Sequence, residues 1–170
     1  MVRRILEIGS GVAVGYATQV LTSVGWEVTK VIPNGYDFLA EMQSRWGGGT
    51  GGASVFLDKN KLVVDSDDFD ILVNAPDFDV VIGDFSKRNI DQFALPTNVF
   101  SSLDVGCSLL SLTSFGLDQS LSNQPHSDLI LQAASSLLYL TGEHHQSPQQ
   151  LPPYTAQMSG GLAASSAAIA

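Results

Sequence analysis

Apolar residues along the chain recur in two patterns, short continuous runs and longer stretches with helical spacing. Residues 4–9 (RILEIG) form an apolar run that predicts a strand entering a glycine turn. Residues 13–24 (AVGYATQVLTSV) have helical spacing, and Gly25 predicts the end of that helix. Residues 27–32 (EVTKVI) predict a second strand, which Pro33 ends. The chain is therefore predicted to open with a strand, a helix and a strand.

The same two patterns continue through the rest of the chain. Residues 79–85 (DVVIGDF) and 105–116 (VGCSLLSLTSFG) predict buried parallel strands, because their apolar runs are nearly continuous. Residues 128–142 (DLILQAASSLLYLTG) predict the clearest helix, and a last helix is expected to start near Thr155. Strands that alternate with helices predict an α/β fold, a Rossmann-like parallel sheet flanked by helices, in a single domain over 1–170.

The segments between these elements give weaker patterns. The stretch GGGTGG at 47–52 predicts a surface loop, since no strand precedes it and no Lys-Ser/Thr pair follows, as a phosphate-binding loop would require. For the remaining segments we predict short helices and short extended pieces. The helices are expected at 36–46, 66–75 and 89–94, and the extended pieces at 53–57 and 61–65.

Composition and charge exclude several classes of protein. The chain has 170 residues and a net charge of −9, from 17 acidic and 8 basic residues, which argues against a nucleic-acid surface. Its one cysteine, Cys107, allows no intrachain disulfide, and no stretch is long and apolar enough to span a membrane. We therefore expect a cytoplasmic protein. The final GGLAASSAAIA is a helix pattern without a cap, which predicts that the chain is truncated there.

The first glycine turn, Gly9-Ser10-Gly11, suggests a nucleotide-type cofactor. LEIGSG resembles the S-adenosylmethionine loop of methyltransferases, so a methyltransferase-like domain is one interpretation. In that fold, and in dinucleotide-binding folds, the second strand ends in an acid that holds the ribose hydroxyls. Here the strand ends Lys30-Val31-Ile32-Pro33, without an acid. The sequence therefore favours a different ligand.

Five further segments follow the first turn in a fixed order. They are YATQVLTSVGWEVTKVI at 16–32, FLDKNKLV at 56–63, FDVVIGDFSKRNIDQFA at 78–94, SLTSFG at 111–116, and SDLILQAASS at 127–136 with its closing Thr141-Gly142-Glu143. In this order they resemble the N-terminal part of the family III CoA-transferases, the CaiB/BaiF or formyl-CoA transferase family. The resemblance extends over essentially the whole chain and implies that family's Rossmann-like domain.

The resemblance implies transfer of CoA between carboxylic acids through acyl-enzyme steps. In the family the nucleophile is an Asp near the start of the helix after a Pro-rich loop, where the helix dipole favours a carboxylate. At that position this chain has Gln157. Its amide forms hydrogen bonds but cannot form an acyl anhydride. We therefore predict that this copy is catalytically impaired.

The resemblance also implies which residues would contact CoA. The basic residue that the family has after the second strand falls in Pro33-Asn34-Gly35, and the family's Lys-Arg pair is Lys61-Leu62. Where the family has an Asn-Phe pair, this chain has Asp84-Phe85. The carboxylate of Asp84 makes phosphate binding less favourable. The candidate CoA-binding positions are Val12, Ala13, Leu57, Lys61, Asp84, Phe85, Lys87 and Arg88.

The expected ligand is coenzyme A or an acyl-CoA thioester, without a metal. His126, His144 and His145 fall in predicted loops without further ligands, so we expect solvated histidines. The family forms an interlocked dimer, which implies a homodimer here. One alternative is a non-catalytic CoA-binding or dimerisation half of a tandem family III protein. The other is the methyltransferase-like domain.

Overall fold

A five-stranded parallel sheet forms the centre of the fold. The computed structural model describes residues 2–9, 11–32, 35–42, 51–65, 78–93, 106–117, 121 and 126–170. The strands in these ranges are β1 (Arg4–Ile8), β2 (Glu27–Ile32), β3 (Leu62–Asp65), β4 (Val80–Gly83) and β5 (Ser108–Ser111). The helices there are α1 (Val12–Ser23), α2 (Phe38–Glu41), α3 (Gly52–Leu57), α4 (Lys87–Phe93), α5 (Asp128–Ala134), α6 (Leu137–Leu140) and α7 (Thr155–Ile169).

The strand order places the first strand in the middle of the sheet. The order is β3-β2-β1-β4-β5, so β1 pairs in parallel with β2 on one side and with β4 on the other. The chain changes the side on which it adds strands between β3 and β4. The carboxyl ends of β1 and β4 are therefore the switch point at which open α/β sheets bind ligands. The predicted Rossmann-like parallel sheet flanked by helices is confirmed.

The central strand is buried on both of its faces. Ile5 packs in one cluster with Leu21 of α1, and Leu6 packs in another with Val81 and Phe85. Because successive side chains of a strand point to opposite faces, burial of both faces requires a run without polar alternation. This explains why RILEI, with its one internal Glu, forms the middle of the sheet.

The two longest helices among the described residues, α1 and α7, cross at short range. Ala17 and Ala164 lie in one core cluster at this contact. A Cβ placed on Gly161 would lie 2.5 Å from the carbonyl oxygen of Ala13, far inside normal contact. Glycine at 161 therefore permits the close approach, and small residues fill the rest of the crossing.

The predicted elements agree with the observed ones at both ends of the chain and less well in the middle. The first strand, first helix and second strand lie within a residue of their predicted bounds, and α7 begins at Thr155 as expected. The extended piece predicted at 53–57 is wrong, because α3 occupies it and buries Leu57 against Val12. The predicted helix at 66–75 lies outside the described residues.

The single helix predicted over 128–142 is also wrong, since it is two helices. Ser136 lies between α5 and α6 with a φ of 64°, in the left-handed region that no helix interior uses.

In the described ranges, no helix has the length and hydropathy needed to cross a bilayer.

Candidate functional site

An open cleft of about 1230 Å³ lies at the carboxyl ends of β1, β4 and β5. It covers the switch point between β1 and β4, where the topology leads one to expect a ligand. Its walls come from the start of α1, from the segments after β4 and β5, and from the first turns of α5 and α7. Lining residues from these walls are Gly9, Gly11, Asp84, Ser111, Asp128 and Gln157.

The turn between β1 and α1 presents backbone donors to the cleft. Gly9 has a φ of 92°, a conformation that a side chain would strain, and its N–H donates to the Val31 carbonyl at 3.1 Å. Gly11 precedes α1, and no described side chain caps that end of the helix. The first N–H groups of a helix have no partner within it, so Val12 and Ala13 can offer theirs to an anion.

The segment after β4 adds charges of both signs to the cleft wall. Asp84 and Arg88 both line the cleft, and Oδ1 of Asp84 accepts the N–H of Ser86 at 2.9 Å. Burial raises the pKa of the Asp84 carboxyl above its ordinary value. Hydrogen bonds from Ser86 and the charges of His126 and Arg88 oppose that rise only in part.

Gln157 lies in the first turn of α7, half-buried, and lines the same cleft. Its backbone N–H donates to Oδ1 of Asp128 at 3.2 Å. The other oxygen of Asp128, Oδ2, accepts from Nε2 of Gln132 at 2.7 Å. The structure therefore places position 157 on the cleft that the first turn and Asp84 also line, with a buried carboxylate against its backbone.

Five of the nine predicted site residues line the cleft: Val12, Ala13, Asp84, Arg88 and Gln157. The other four do not line it in the described part of the chain. Leu57 is buried in a cluster with Leu39, and Phe85 is buried beneath β1 and β4. Lys87 is exposed on α4, outside the cleft.

Lys61 lies in the interior, away from the residues that line the cleft. Its side chain is fully buried, and its Nζ lies 2.7 Å from Oε2 of Glu7, 2.7 Å from Oγ1 of Thr18 and 3.1 Å from the carbonyl oxygen of Gly15. An ammonium group has three donors, and these contacts use all of them. Lys61 therefore joins β1 to α1 in this structure.

A second buried lysine lies beside this pair. The Nζ of Lys30, on β2, lies 3.0 Å from Asp37 and 2.9 Å from Asp58, and its side chain is fully buried. Burial acts to lower the pKa of Lys30, but the carboxylates of Glu7, Asp58 and Asp37 outweigh it and raise the pKa. This cluster was not predicted from the sequence, because Lys30 was considered only as part of a strand end that lacks an acidic residue.

The described residues include no group of three or more His, Cys, Asp or Glu side chains that could hold a metal ion. His144 and His145 contact each other edge to face at 5.3 Å between ring centres. Both are exposed, as is His126.

The fold and the position of the cleft define the class of protein as a Rossmann-like α/β domain with an open cleft at the switch point. The family model for CoA-transferase family III matches residues 3–170, nearly the whole chain. The chain therefore belongs to CoA-transferase family III. No curated protein matches it.

Solved structures have the same fold at low sequence identity. A CaiB/BaiF family protein from Brucella suis superimposes with a TM-score of 0.79 at 19% identity, over 98% of this chain and 48% of that one. Rv3272 from M. tuberculosis, in its orthorhombic form, superimposes with a TM-score of 0.77 at 23% identity, over 98% of this chain and 49% of that one. The chain thus spans about half the length of these proteins.

Proposed function

We propose that the cleft binds a CoA thioester and that this copy is impaired in the acyl-transfer chemistry of its family. The proposal rests on one juxtaposition. The donor-rich start of α1, the charged segment after β4 and position 157 all line a single cleft at the switch point. A ligand that spans them would need an anionic end, a long linker and a reactive group, as a CoA thioester has.

The residues of the cleft supply different parts of such a contact. The first N–H groups of α1, which have no partner within the helix, suit phosphate oxygens, because the helix dipole favours negative charge there. Arg88, in the segment after β4, adds a cation to the lining of the cleft. Asp84 works against a phosphate at close range, which favours a position for the anionic end nearer to α1 than to β4.

The impairment follows from the chemistry of residue 157. Transfer of an acyl group to the enzyme requires a carboxylate oxygen that attacks the thioester carbonyl, with the CoA thiolate as leaving group. Gln157 offers a neutral amide at that position, which is a poor nucleophile. The neighbouring Asp128 uses one oxygen for the N–H of residue 157 and the other for Gln132. A non-catalytic CoA-binding half, supporting an intact unit elsewhere in a dimer or tandem protein, accounts for this arrangement.

Calorimetry tests the ligand. The chain is titrated with CoA, acetyl-CoA and S-adenosylmethionine, and we expect heat of binding with the first two. Arg88→Gln should weaken CoA binding about tenfold, since it removes a charge-assisted contact. Lys87→Gln is the matched control on the same helix and should change the affinity less than about twofold. Binding of S-adenosylmethionine alone would instead support the methyltransferase-like alternative.

Trapping with hydroxylamine tests the impairment. The protein at its full natural length is incubated with an acyl-CoA and then with hydroxylamine, which converts an acyl anhydride to a hydroxamate. We expect no adduct in the unchanged protein and an adduct at residue 157 in Gln157→Asp. Gln157→Asn is the control, since it shortens the side chain without a carboxylate. An adduct at residue 157 of the unchanged protein would overturn the proposed impairment.

A further inference from the structure

Two buried polar side chains of α5 hold the segment that leads into α7. Gln132 is fully buried and Asp128 is 9% exposed. The Oε1 of Gln132 accepts the N–H of Leu151 at 2.9 Å, and its Nε2 also lies 3.4 Å from the carbonyl oxygens of Leu151 and Pro152. Gln132 thereby pairs backbone groups of a Pro-rich segment that belongs to no sheet.

Asp128 extends this set of bonds to the first turn of α7. Its Oδ2 accepts from Gln132 at 2.7 Å, and its Oδ1 accepts from the N–H of residue 157 at 3.2 Å. The N–H groups of a first helical turn lack partners within the helix, so this carboxylate satisfies one of them. Because Ser127 caps α5 just before it, Asp128 is itself held at a fixed point of the cleft wall.

We propose that Asp128 and Gln132 form a positioning clamp, which fixes the backbone of residue 157 at the cleft and sets the charge around its side chain. The functional meaning of the clamp rests on the proposed function, since it is the family's nucleophile position that the clamp holds. The clamp acts through residue 157, and the structure gives neither of its residues a reacting atom. Holding the backbone of residue 157 gives Asp128 and Gln132 a role that does not depend on a carboxylate side chain at that position.

The charge effect has a definite sign. The side chain of residue 157 begins next to the N–H that Asp128 accepts, so an anion formed there lies close to the carboxylate. Like charges at such a distance disfavour each other in a partly buried site. An acidic group introduced at 157 should therefore have a higher pKa while Asp128 is present than after its charge has been removed.

A single thiol at position 157 measures this effect directly. The probe is Gln157→Cys in a Cys107→Ser background, and its reaction with iodoacetamide is followed against pH, because only the thiolate reacts. Asp128→Asn should lower the thiol pKa by about one unit, which is about tenfold more thiolate near neutral pH. Glu27→Gln, at the exposed amino end of β2, removes the same charge far from the cleft and should leave the pKa unchanged. Equal pKa values in the Asp128→Asn and Glu27→Gln proteins would overturn the clamp.

Amide hydrogen exchange tests whether the clamp holds the backbone of residue 157, independently of its effect on the charge of the side chain. In the unchanged chain, the amides of Leu151 and Gln157 should exchange slowly, as hydrogen-bonded groups do. Asp128→Asn keeps an acceptor oxygen and should keep residue 157 protected, whereas Asp128→Ala should lose that protection. Fast exchange of both amides in the unchanged chain would overturn the clamp even if every variant failed to fold.

Both measurements are made without CoA. A failure of CoA binding in calorimetry, with the thiol shift and the protection intact, would reject the proposed function and keep the positional role. CoA binding without the thiol shift and without the amide protection would reject the clamp and keep the proposed function.

Discussion

Asp84 is a carboxylate on the wall of a cleft that is proposed to bind an anion. Its raised pKa reports the cost of keeping that charge partly buried. Folding then favours the protonated carboxyl, so the contribution of Asp84 to stability is fully present below the ordinary carboxyl pKa of 3.8 and is lost as the pH rises through the raised value. Once ionised, the residue opposes both folding and the binding of an anion in the cleft.

Asp84→Asn should therefore strengthen CoA binding and stabilise the chain near neutral pH. The amide can still accept the Ser86 N–H, so the turn is kept. The gain in stability should shrink as the pH falls toward the ordinary carboxyl range, because the carboxyl of the unchanged protein is then neutral as well. Urea unfolding and calorimetry across pH check both effects. Asp91→Asn, exposed on the neighbouring α4, is the control, and a pH-independent gain in stability would contradict the prediction.

Lys61 was a candidate CoA contact on its sequence motif, and in the structure its ammonium group is fully buried beside Glu7. Removing one partner of a buried ion pair leaves the other charge uncompensated, which costs about 3–5 kcal/mol. Lys61→Met should destabilise the chain by that order, because Glu7 is fully buried beside it. Glu7→Leu combined with Lys61→Met should recover much of the loss.

Urea denaturation of the single and double variants checks this prediction. Lys59→Met is the matched control in the same turn, exposed, and should change the free energy of unfolding by less than about 0.5 kcal/mol. Equal effects of Lys59→Met and Lys61→Met would contradict the buried pair.

At the scale of the elements, the crossing of α1 and α7 depends on the absence of side chains. Gly161→Ala places a Cβ 2.5 Å from the carbonyl oxygen of Ala13, so the helices must separate. We expect a loss of about 1–3 kcal/mol from this overpacking, measured by thermal or urea unfolding.

Gly160 provides the comparison one position away on α7. A Cβ there meets nothing within 4 Å, so Gly160→Ala should be neutral or stabilise the helix by up to about 1 kcal/mol. If the two alanine variants had the same stability, the close crossing of α1 and α7 would not exist in solution.

The central strands could be predicted from sequence, because a strand buried on both faces consists mostly of consecutive apolar residues. β1 and β4 are nearly continuous apolar runs, and a run of this kind is visible without knowledge of its neighbours. The break at Ser136 and the helix α3 were missed, because they depend on contacts rather than on spacing. Leu57 makes α3 part of the core by packing on Val12, a residue of another helix.

The candidate site could be predicted only in part, for a similar reason. Family motifs identified position 157 and the start of α1, which the structure places on one cleft. The motif with Lys61 gave no sign that its ammonium group faces Glu7, which lies 54 positions earlier in the chain. The roles of Asp128 and Gln132 were equally invisible, since their partners are backbone groups of a distant segment.

At the scale of the whole molecule, the cleft is assembled from segments that are far apart in the chain. The strand order brings β1 beside β4, and α7 then supplies the wall that carries residue 157. The family relatives with solved structures are about twice as long, with this chain covering 48% of one of them.

The contact between α1 and α7 also determines when the cleft can exist during folding. Docking of α7 closes a loop of roughly 130 residues, and the entropy of that closure is lost before any contact of the crossing is gained. Strand pairs and local helices can form earlier, because their contacts span shorter stretches of chain. Competence to bind ligand should therefore appear as a late kinetic phase, after most of the secondary structure has formed.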